Sequence, residues 1–434
     1  MIPARPLLAL LGAWTALGAA ASFQALLLPP WQWSGIALAA LAVMDAVAAR
    51  GLPLPAVRRE VMPALALGSP APVTVELHNP LGFPRPVQVF DHHPPAAAQT
   101  GLPHPLRLPA TGWAKLTYRL RPLARGAHAF GPVQIRIASP LRLWWRDAKV
   151  PVATEVRVYP NFAAVMKYTL LAQDRRLGDM GIRRRRRRGE GLEFHQLREY
   201  REGDALRQVD WKATARTGKL ISRDYQEERD QRVVFLVDCG RRMRAADGHV
   251  SHFDHTLNAV LLLAHVALRQ GDTVGLMTFS GPERWLAPRK SVTSVNRLLN
   301  VLYDLQPGLD APDYSAAATR LLARERRRAL VVLVTNVRDE DTDDLLPALA
   351  LLRRRHLVLL ASMQETALRE ALATPVDGFD AALEHAATHH YLAHREAAHE
   401  RLRRSGIYTV DAPPADLPVH MVNRYLELKS AGVL

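Results

Sequence analysis

The chain is nearly devoid of cysteine, with one residue, Cys239, among 434. A single thiol excludes an internal disulfide framework and fits a reducing compartment. Two phosphate-binding motifs are missing as well. No G-x-G-x-x-G follows the first predicted strand of the C-terminal region, and no G-x-x-x-x-G-K-[ST] sequence occurs. Nucleotide binding therefore has no motif to support it.

Acidic residues are also scarce relative to basic ones, 42 against 57, which gives a net charge of +15 at pH 7. So large a surplus favours a negatively charged partner: nucleic acid, an anionic membrane face or an acidic protein. An arginine-rich coding bias would produce the same surplus without any partner. The apolar fraction of 48% is enough for folded cores, and the length predicts two or three units.

Two long apolar runs open the chain. Leu7–Leu28 is uncharged and would span roughly 33 Å as a helix. Trp33–Ala49 is interrupted only by Asp45, and Pro29–Gln32 between the runs predicts a break. We interpret residues 1–50 as a transmembrane helical hairpin with a very short outer turn. A cleavable signal peptide is the alternative for the first run.

The charges around this hairpin predict its orientation. Arg5 precedes it, Arg50, Arg58 and Arg59 follow it, and the turn carries no charge. The positive-inside rule therefore places both ends, and all that follows, in the cytoplasm. Asp45 is either a functional intramembrane carboxylate or a residue that reaches the inner interface and pairs there, close to Arg50.

Residues 51–160 predict an immunoglobulin-like β-sandwich, because short alternating runs are separated by proline and glycine turns and no helical run occurs. The predicted strands are Val73–Leu77, Val87–Phe90, Ala114–Leu120, Val133–Ile137 and Val156–Tyr159. The aromatic segment Leu141–Trp145 is either a docking patch or a core plug at a strand end. No catalytic constellation is visible in this region.

Residues 161–190 predict a short helix, Phe162–Leu171, followed by an arginine-rich linker. Its six consecutive basic residues are Arg183, Arg184, Arg185, Arg186, Arg187 and Arg188. Such a block repels itself and stays solvated, so a plain linker is one interpretation. Attraction to anionic lipid is another. Nucleic-acid binding is the least favoured, because no stacking aromatic is interleaved with the charge.

From Arg232 onwards, apolar strands alternate with helices, which predicts a doubly wound α/β fold. The predicted strands are Val233–Val237, Val274–Phe279, Leu330–Thr335, Leu357–Ala361 and Ile407–Val410. The predicted helices are His255–Arg269, Val292–Leu305, Tyr314–Arg327 and Asp343–Arg355, with long helices after the last two strands.

The stretch from Gly191 to Lys219 is dense in charges of both signs, and no simple helix or strand period fits it. Phe194, Tyr200 and Trp211 argue against a disordered linker. We expect an ordered surface that the aromatics hold in place and that suits a protein partner better than a small substrate.

This stretch contains G-L-E-F-x-x-L-R-E-Y-x-x-G-D, from Gly191, and V-D-W-K-x-x-A-R-x-G-K-L, from Val209. It closely resembles the signature of the bacterial "domain of unknown function 58" family. The resemblance implies a membrane protein with a von Willebrand factor A-like domain in residues 191–434. It also implies a gene neighbour that encodes a MoxR-type AAA+ ATPase.

In von Willebrand A-type domains a D-x-S-x-S sequence after the first strand supplies oxygen ligands for Mg²⁺, with a threonine and a further aspartate from later loops. The matching positions here are Asp238, Gly240, Arg242, Asp313 and Asn336. Mg²⁺ requires several oxygen ligands, and this set lacks both hydroxyls and adds a guanidinium. We therefore expect no metal and no cofactor, with Arg242 paired to Asp238 or Asp313. A buried structural thiol is the favoured interpretation of Cys239 over a nucleophile.

The predicted function is that of a non-enzymatic scaffold in the bacterial cytoplasmic membrane, which works with a cytoplasmic MoxR-type ATPase in the assembly or maturation of protein complexes. The ATPase is implied by the resemblance alone. The candidate partner-binding residues are Arg198, Glu199, Tyr200, Asp204, Asp210, Trp211, Lys212 and Arg216. The alternative is a basic membrane protein that binds anionic lipid or nucleic acid through the arginine run.

Overall fold

A computed structural model describes residues 1–161, 193–200, 209–226, 230–247, 250–290 and 294–434. The chain divides into two compact units, Met1–Tyr159 and Pro160–Leu434. Each unit has its own sheets and its own hydrophobic core. The predicted helix Phe162–Leu171 and the run Arg183–Arg188 lie outside the described residues.

The first unit begins with a two-residue strand, β1 (Ile2–Pro3), and two helices, α1 (Arg5–Ala21) and α2 (Leu28–Gly51). A 3-10 turn, Ala25–Leu27, joins the helices. The predicted break at Pro29–Gln32 is wrong, because these residues form the first turn of α2. Proline is tolerated there, since the first backbone N–H groups of a helix have no intrahelical partner.

Stacked tryptophans hold α1 against α2. The rings of Trp14 and Trp31 lie 5.3 Å apart and nearly parallel. The indole of Trp14 donates to the carbonyl of Trp31 over 3.0 Å. A Cβ at Gly18 would lie 2.6 Å from Trp31 Nε1, and one at Gly35 would lie 2.7 Å from Trp14 Nε1. Glycine at these two positions therefore permits the close approach of the helices.

Among the described residues, one helix is long and apolar enough to cross a bilayer, the stretch Ala25–Gly51 that contains α2. The helix α1 is apolar but shorter, with 17 residues. Several large apolar side chains of this region face outwards, including Phe23 at 88% exposure and Trp33 at 71%. These features give weak support for anchoring in a membrane.

The buried carboxylate of Asp45 fastens α2 to the strands of the same unit. It accepts hydrogen bonds from Ser139 Oγ at 2.5 Å and from the backbone N–H groups of Leu141 and Leu143 at 2.9 and 3.2 Å. Pairing with Arg50 is therefore not its role. Trp144 adds a bond from its indole to the carbonyl of Ala42 at 2.8 Å. The segment Leu141–Trp145 thus holds α2, and neither earlier interpretation of it is needed.

The remaining strands of this unit are β2 (Ala56–Glu60), β3 (Ala64–Ala66), β4 (Ala71–His78), β5 (Arg85–Asp91), β6 (Ala97–Thr100), β7 (His104–Leu108), β8 (Trp113–Pro122), β9 (Gly126–Ala129), β10 (Val133–Ala138), β11 (Trp144–Val150) and β12 (Glu155–Tyr159). They form sheets of order β1-β11-β10-β5-β7, β2-β4-β8-β6 and β3-β12-β9. The five predicted strands are confirmed as β4, β5, β8, β10 and β12, and the missed ones are mostly short or rich in proline.

One hydrophobic core is formed by the strands of these sheets. Buried and exposed side chains alternate along the long strands, so one face of each strand contributes to this core. In β4, Val73, Val75 and Leu77 are fully buried, and Val89 and Ile135 enter the same core from β5 and β10. Alternating burial of this kind is what the sequence pattern of these strands predicts.

An ion pair with no solvent exposure, Arg59–Asp91, lies in the same unit. Asp91 also accepts a hydrogen bond from the hydroxyl of Tyr118 at 2.8 Å. The guanidinium of Arg59 donates further to the carbonyls of Gly131 at 2.8 Å and Val152 at 2.9 Å. Burial, with the nearby charge of Asp91 as the second cause, raises the pKa of Tyr118 above its ordinary value. The side-chain oxygens of Asp91 and the charge of Arg59 are thus satisfied inside the protein.

The second unit begins with an antiparallel pair of strands, β13 (Glu193–Glu199) and β14 (Ile221–Gln226), with the short helix α3 (Trp211–Thr217) between them in sequence. The region contains regular elements although no simple period is visible in its sequence. A strand with a β-bulge at Phe194–Gln196 and a two-turn helix are each too short to give a clear period.

A six-stranded sheet forms the centre of the unit, in the order β19-β18-β15-β20-β21-β22. In chain order, with a small hairpin after the first, the strands are β15 (Arg232–Asp238), β16 (Ala246–Asp247), β17 (Val250–Ser251), β18 (Thr273–Phe279), β19 (Trp285–Arg289), β20 (Leu330–Val334), β21 (Leu357–Met363) and β22 (Tyr408–Ala412). All neighbours in the sheet are parallel except β19, which runs antiparallel to β18. The five predicted strands are confirmed, and β19 was missed.

Helices cover both faces of this sheet. They are α4 (His252–Arg269), α5 (Ser294–Leu302), α6 (Tyr314–Arg324), α7 (Thr342–Arg353), α8 (Thr366–Ala373), α9 (Phe379–Arg404) and α10 (Leu417–Ser430). The side chains of α6, α7 and Leu402 of α9 form one core with alternate residues of the strands, such as Val234 and Leu333. The helices α4 and α10 pack together and against the strands. The predicted parallel α/β sheet is thereby observed.

We predict that Asp91→Ala lowers the free energy of unfolding of the first unit by about 3–5 kcal/mol, because it leaves the Arg59 guanidinium buried without its counter-charge. Denaturant titration of the detergent-solubilised chain, followed by tryptophan fluorescence, measures the loss. The control is Arg59→Met with Asp91→Leu, which removes both charges at similar volume and should cost less. A loss of about 1 kcal/mol or less for Asp91→Ala, as for an exposed pair, would contradict the argument.

Candidate functional site

The ends of β15 and β20 mark the place where open α/β sheets bind ligands. The chain leaves β15 for β18 on one side and later returns to β20 on the other, so the strand order reverses between β15 and β20. Ligand sites in such sheets lie at this crevice, outside the carboxyl ends of the strands. Asp238 ends β15, and Thr335 directly follows β20.

The carboxylate of Asp238 is fully buried at this crevice. It accepts hydrogen bonds from Thr335 Oγ1 at 2.6 Å and from the backbone N–H of Gly240 at 2.8 Å. The hydroxyl of Tyr314 lies 3.3 Å from Thr335 Oγ1 and continues the chain of hydroxyls. These partners come from β20, from the loop after β15 and from α6, so the carboxylate joins three parts of the fold.

Burial raises the pKa of Asp238 above its ordinary value, and the bonds from Thr335 and Gly240 and the charge of Arg242 oppose the rise. Burial, and then the nearby charge of Asp238, raises the pKa of Tyr314 as well. Burial in the crevice therefore favours the protonated form of both groups.

Backbone and side-chain atoms fill the space at Gly240, the position that matches the first serine of the D-x-S-x-S pattern. A Cβ at Gly240 would lie 2.7 Å from the carbonyl oxygen of Asp310 and 3.0 Å from Asp238 Oδ1. That carbonyl accepts the backbone N–H of Arg241 at 3.0 Å, and the N–H of Gly308 donates to the carbonyl of Cys239 at 2.7 Å. The loop at residues 308–310 is thus bonded directly over the loop that follows β15.

Arg242 does not pair with Asp238 or Asp313, so that expectation is wrong. Its nearly buried guanidinium bonds to Glu340 Oε1 at 2.5 Å and pairs with the buried carboxylate of Asp341. Both acids belong to a 3-10 turn, Asp339–Asp341, just before α7. An arginine at the end of one loop reaches the acidic turn of another, and the sequence does not show that the two loops are neighbours.

Asp313 and Asn336, the last two positions that match the Mg²⁺-binding pattern, have separate structural roles. Asp313 is exposed and caps α6, since its Oδ1 accepts the backbone N–H of Ala316 at 2.9 Å. Asn336 is fully buried and donates to Glu365 Oε1 at 3.2 Å. The structure therefore brings together Asp238 and Gly240, while the remaining three face other partners. No group of three or more histidine, cysteine, aspartate or glutamate side chains that could hold a metal occurs in the described part of the chain.

Cys239 is fully buried, and its Sγ lies 3.8 Å from the carbonyl oxygen of Val237. The favoured interpretation, a buried structural thiol, is confirmed by this burial. Thiolate chemistry requires access and a partner that lowers the thiol pKa, and burial opposes both.

A buried arginine that the sequence did not single out, Arg395 of α9, ties three strand ends together. It donates to Ser362 Oγ at 2.9 Å, to the carbonyl of Met363 at 2.8 Å and to Asp411 Oδ1 at 2.5 Å. It also bonds to the carbonyl of Val337, just beyond β20. In sequence it is one of many arginines on helices, so no local signal distinguishes it.

The candidate partner-binding residues surround α3. Asp210 caps this helix and accepts the N–H groups of Lys212 and Ala213, both at 3.0 Å. Gly218 ends it in the left-handed conformation, with φ of +66°. Lys212 and Arg216 lie on the helix, and both are exposed or half-buried. The cap and the glycine therefore fix a rigid two-turn platform.

On the paired strands, Glu199 forms an exposed ion pair with Lys219 at 2.8 Å. The guanidinium of Arg198 donates to the carbonyl of Glu199, and the backbone N–H of Tyr200 donates to the carbonyl of Leu220. Asp204 lies outside the described residues. Seven of the eight candidates are therefore placed on β13, directly after it, or on α3 and its cap.

Trp211 is 66% exposed at the start of α3. The expectation that the aromatics hold this segment in place is wrong for this residue, because most of its ring faces away from the chain. Two further apolar side chains of the same region, Leu197 and Leu220, are 47% and 48% exposed. The segment thus presents three large apolar side chains among its charges.

We predict that the stability of Asp238→Asn relative to the natural chain rises as the pH is raised from about 4, the ordinary pKa of an aspartate, through the neutral range. A carboxyl whose folded-state pKa is raised stabilises the fold below its unfolded pKa, and this contribution is lost as the pH rises through the folded value. The neutral amide keeps the bond from Gly240 and can donate to Thr335, and it has no such loss. Thermal melts across this range measure the difference, and a relative stability that falls with rising pH would contradict the raised pKa.

We further predict that Arg242→Ser lowers the free energy of unfolding by roughly 1–3 kcal/mol, because Asp341 is left buried and unpaired. Adding Gly240→Ser should not restore stability, with or without Mg²⁺, since the new Cβ meets the Asp310 carbonyl. Melting temperatures recorded with Mg²⁺ and with a chelator give the answer. A clear rise with Mg²⁺, in the natural chain or the double variant, would mean that a metal site survives.

Residues 196–404 match a protein-family model described as "Protein of unknown function DUF58". The uncharacterized protein YeaD of Bacillus subtilis (strain 168) is 24% identical over 181 residues. The match covers 40% of this chain, and the chain spans 41% of the length of that relative.

Solved structures show weaker likenesses. The cupredoxin domain of amoB from Nitrosocaldus yellowstonii is 12% identical over 24% of this chain and 84% of its own, with a TM-score of 0.19. The proximal thread matrix protein 1 from the mussel byssus is 11% identical over 47% of this chain and 46% of its own, with a TM-score of 0.26. Neither score assigns a fold, so what the chain is similar to rests on the match of residues 196–404 to the DUF58 family model.

Proposed function

We propose that the chain is a membrane-anchored, non-enzymatic scaffold whose second unit docks a protein partner through the surface around α3. The observation that carries the proposal is the exposure of Trp211. Tryptophan is costly to leave in water and is enriched among the residues that dominate protein interfaces. Here it stands on a capped helix, inside the segment whose sequence motif is the most distinctive of the chain.

The charges around Trp211 suit a role in specificity. Lys212 and Arg216 share its helix. Glu199 lies on β13, and its partner Lys219 lies just before β14. Exposed charges at the rim of an interface add little affinity, but they steer encounter and fix register. An apolar anchor with a mixed-charge rim is the usual anatomy of a specific protein contact.

The state of the crevice at Asp238 supports binding over chemistry. Its carboxylate is satisfied by Thr335 and Gly240, and the Asp310 carbonyl stands where a ligand-bearing side chain would begin. A nucleophile, a base and oxyanion donors would have to meet around an open space for catalysis. The partner is proposed to be a cytoplasmic MoxR-type AAA+ ATPase, with the assembly or maturation of protein complexes as the process, on the strength of the family resemblance.

The finer fold assignments belong to the same proposal. The strand order of the second unit, with one antiparallel edge strand, supports a von Willebrand A-like domain, and the shared core of the first unit supports an immunoglobulin-like sandwich. The stacking of Trp14 on Trp31 supports a transmembrane hairpin of α1 and α2. The uncharged turn and the flanking arginines support a cytoplasmic position for both units, in a bacterial inner membrane.

We predict that Trp211→Ala reduces capture of the neighbouring MoxR-type ATPase by the full-length chain, in detergent, at least tenfold, as expected for a central aromatic of an interface. The matched control is Trp113→Ala, which removes another half-exposed tryptophan, from the first unit. Equal capture by the natural chain and both variants would remove the α3 surface from the proposal. Failure of the natural chain to capture the ATPase would overturn the choice of partner.

A further inference from the structure

The strand β22 is the outer strand of the six-stranded sheet and pairs with β21 on one side only. The backbone N–H of Gln364 donates to the carbonyl of Ala412 at 2.9 Å, so Ala412 faces β21. Because backbone groups alternate along a strand, Thr409 and Asp411 direct their N–H and C=O groups towards the free edge. In the described part of the chain no backbone group bonds to these two residues from that side.

A groove of about 900 Å³ runs along this free edge. Its floor is the strand itself, from Ile407 to Asp411. One wall is α9, whose Leu402 belongs to the core on one face of the sheet. The other wall is α10, which packs against α4 on the opposite face. The edge therefore lies at the bottom of a groove between two helices. Water and a single extended chain can reach it, but a broad protein surface cannot.

Each wall carries balanced charges. On α9, Arg403 bonds to Glu400 at 3.0 Å. On α10, Arg424 bonds to Glu427 at 2.9 Å, and its guanidinium lies 5.2 Å from the ring centre of Tyr408. Since cations and anions neutralise one another on both walls, the groove offers no surplus charge to a charged segment and favours an occupant without net charge. In the described part of the chain, the N–H and C=O groups of Thr409 and Asp411 that face this groove have no backbone partner, and they match another extended backbone.

We propose that β22 binds an extended peptide segment of a partner protein, without net charge, by addition of a strand to the sheet. Strand addition at an exposed sheet edge is an established mode of peptide recognition, in which main-chain hydrogen bonds provide the affinity. A second copy of this chain fits less well, because it would bring its own α9 and α10 against the walls of the groove. The site is distinct from the α3 surface and does not depend on the proposed ATPase.

The edge is held rigid before anything binds. Asp411 accepts bonds from Arg395 at 2.5 Å and from Gln364 at 3.1 Å, and Arg395 is bonded in turn to the ends of the neighbouring strands. A strand fixed in this way loses little conformational freedom when a peptide pairs with it. The hydrogen bonds of Arg395 therefore hold β22 in position at the edge of the sheet.

The probe for the test is a capped heptapeptide of alternating threonine and valine that carries fluorescein, titrated with the full-length chain in nanodiscs. Saturable fluorescence anisotropy is expected. Thr409→Pro removes one edge-facing N–H and leaves the ladder to β21 intact, because proline is tolerated where the N–H points away from a sheet. Affinity should fall roughly tenfold for this variant and remain unchanged for the matched control Thr409→Val, which keeps the N–H.

A second arm protects the test against misfolding of the proline variant. A probe N-methylated at alternate residues cannot donate from one edge, and it should bind the natural chain roughly tenfold more weakly. Absence of saturable binding, or equal binding of both probes by the natural chain, would overturn the proposal. Capture of the MoxR-type ATPase by Thr409→Pro should match the natural chain, so the two surfaces fail or succeed separately.

Discussion

A charge or polar group that leaves water must find its partners inside the chain, and this constraint shapes each part of the molecule. In the first unit, Asp91 is matched by Arg59, and Asp45 by a hydroxyl and two backbone N–H groups. In the second, Asp272 accepts from Tyr425 and Lys429, which joins α10 to the loop before β18. These partners are distant in sequence, so each buried carboxylate fixes how separate elements meet.

The same constraint explains why the crevice at Asp238 does not resemble an open ligand site. The hydrogen bonds from Thr335 and Gly240 already satisfy the oxygens of this carboxylate inside the protein. Arg242 does not pair with Asp238. It bonds to Glu340 and Asp341 and stabilises the turn before α7. Contacts within the protein therefore set the conformation of this crevice, and the proposed binding surfaces are those around Trp211 and along β22.

Periodicity predicted the elements that bury one face and could not predict how loops meet. Alternation in β4 and β8, and apolar runs in β15 and β20, follow from burial and were found in sequence. The turn between α1 and α2 was misplaced because prolines suit the first turn of a helix as well as a break. Arg242 bonds to Glu340 across 98 positions of the sequence, and Arg395 bonds to Ser362 across 33, so no local pattern encodes either contact. Trp211 was singled out from the sequence as a candidate residue, but its exposure was not foreseen.

The central claim is that the second unit acts by binding a protein at the surface around α3. Hydrogen exchange of the full-length chain in nanodiscs, recorded by mass spectrometry with and without the MoxR-type ATPase, tests it most directly. The account predicts slower exchange at the amides of α3 and of β14 when the ATPase is present, and unchanged exchange at β15 beside the closed crevice. Protection confined to the loops around Asp238, with α3 and β14 unaffected, would contradict it.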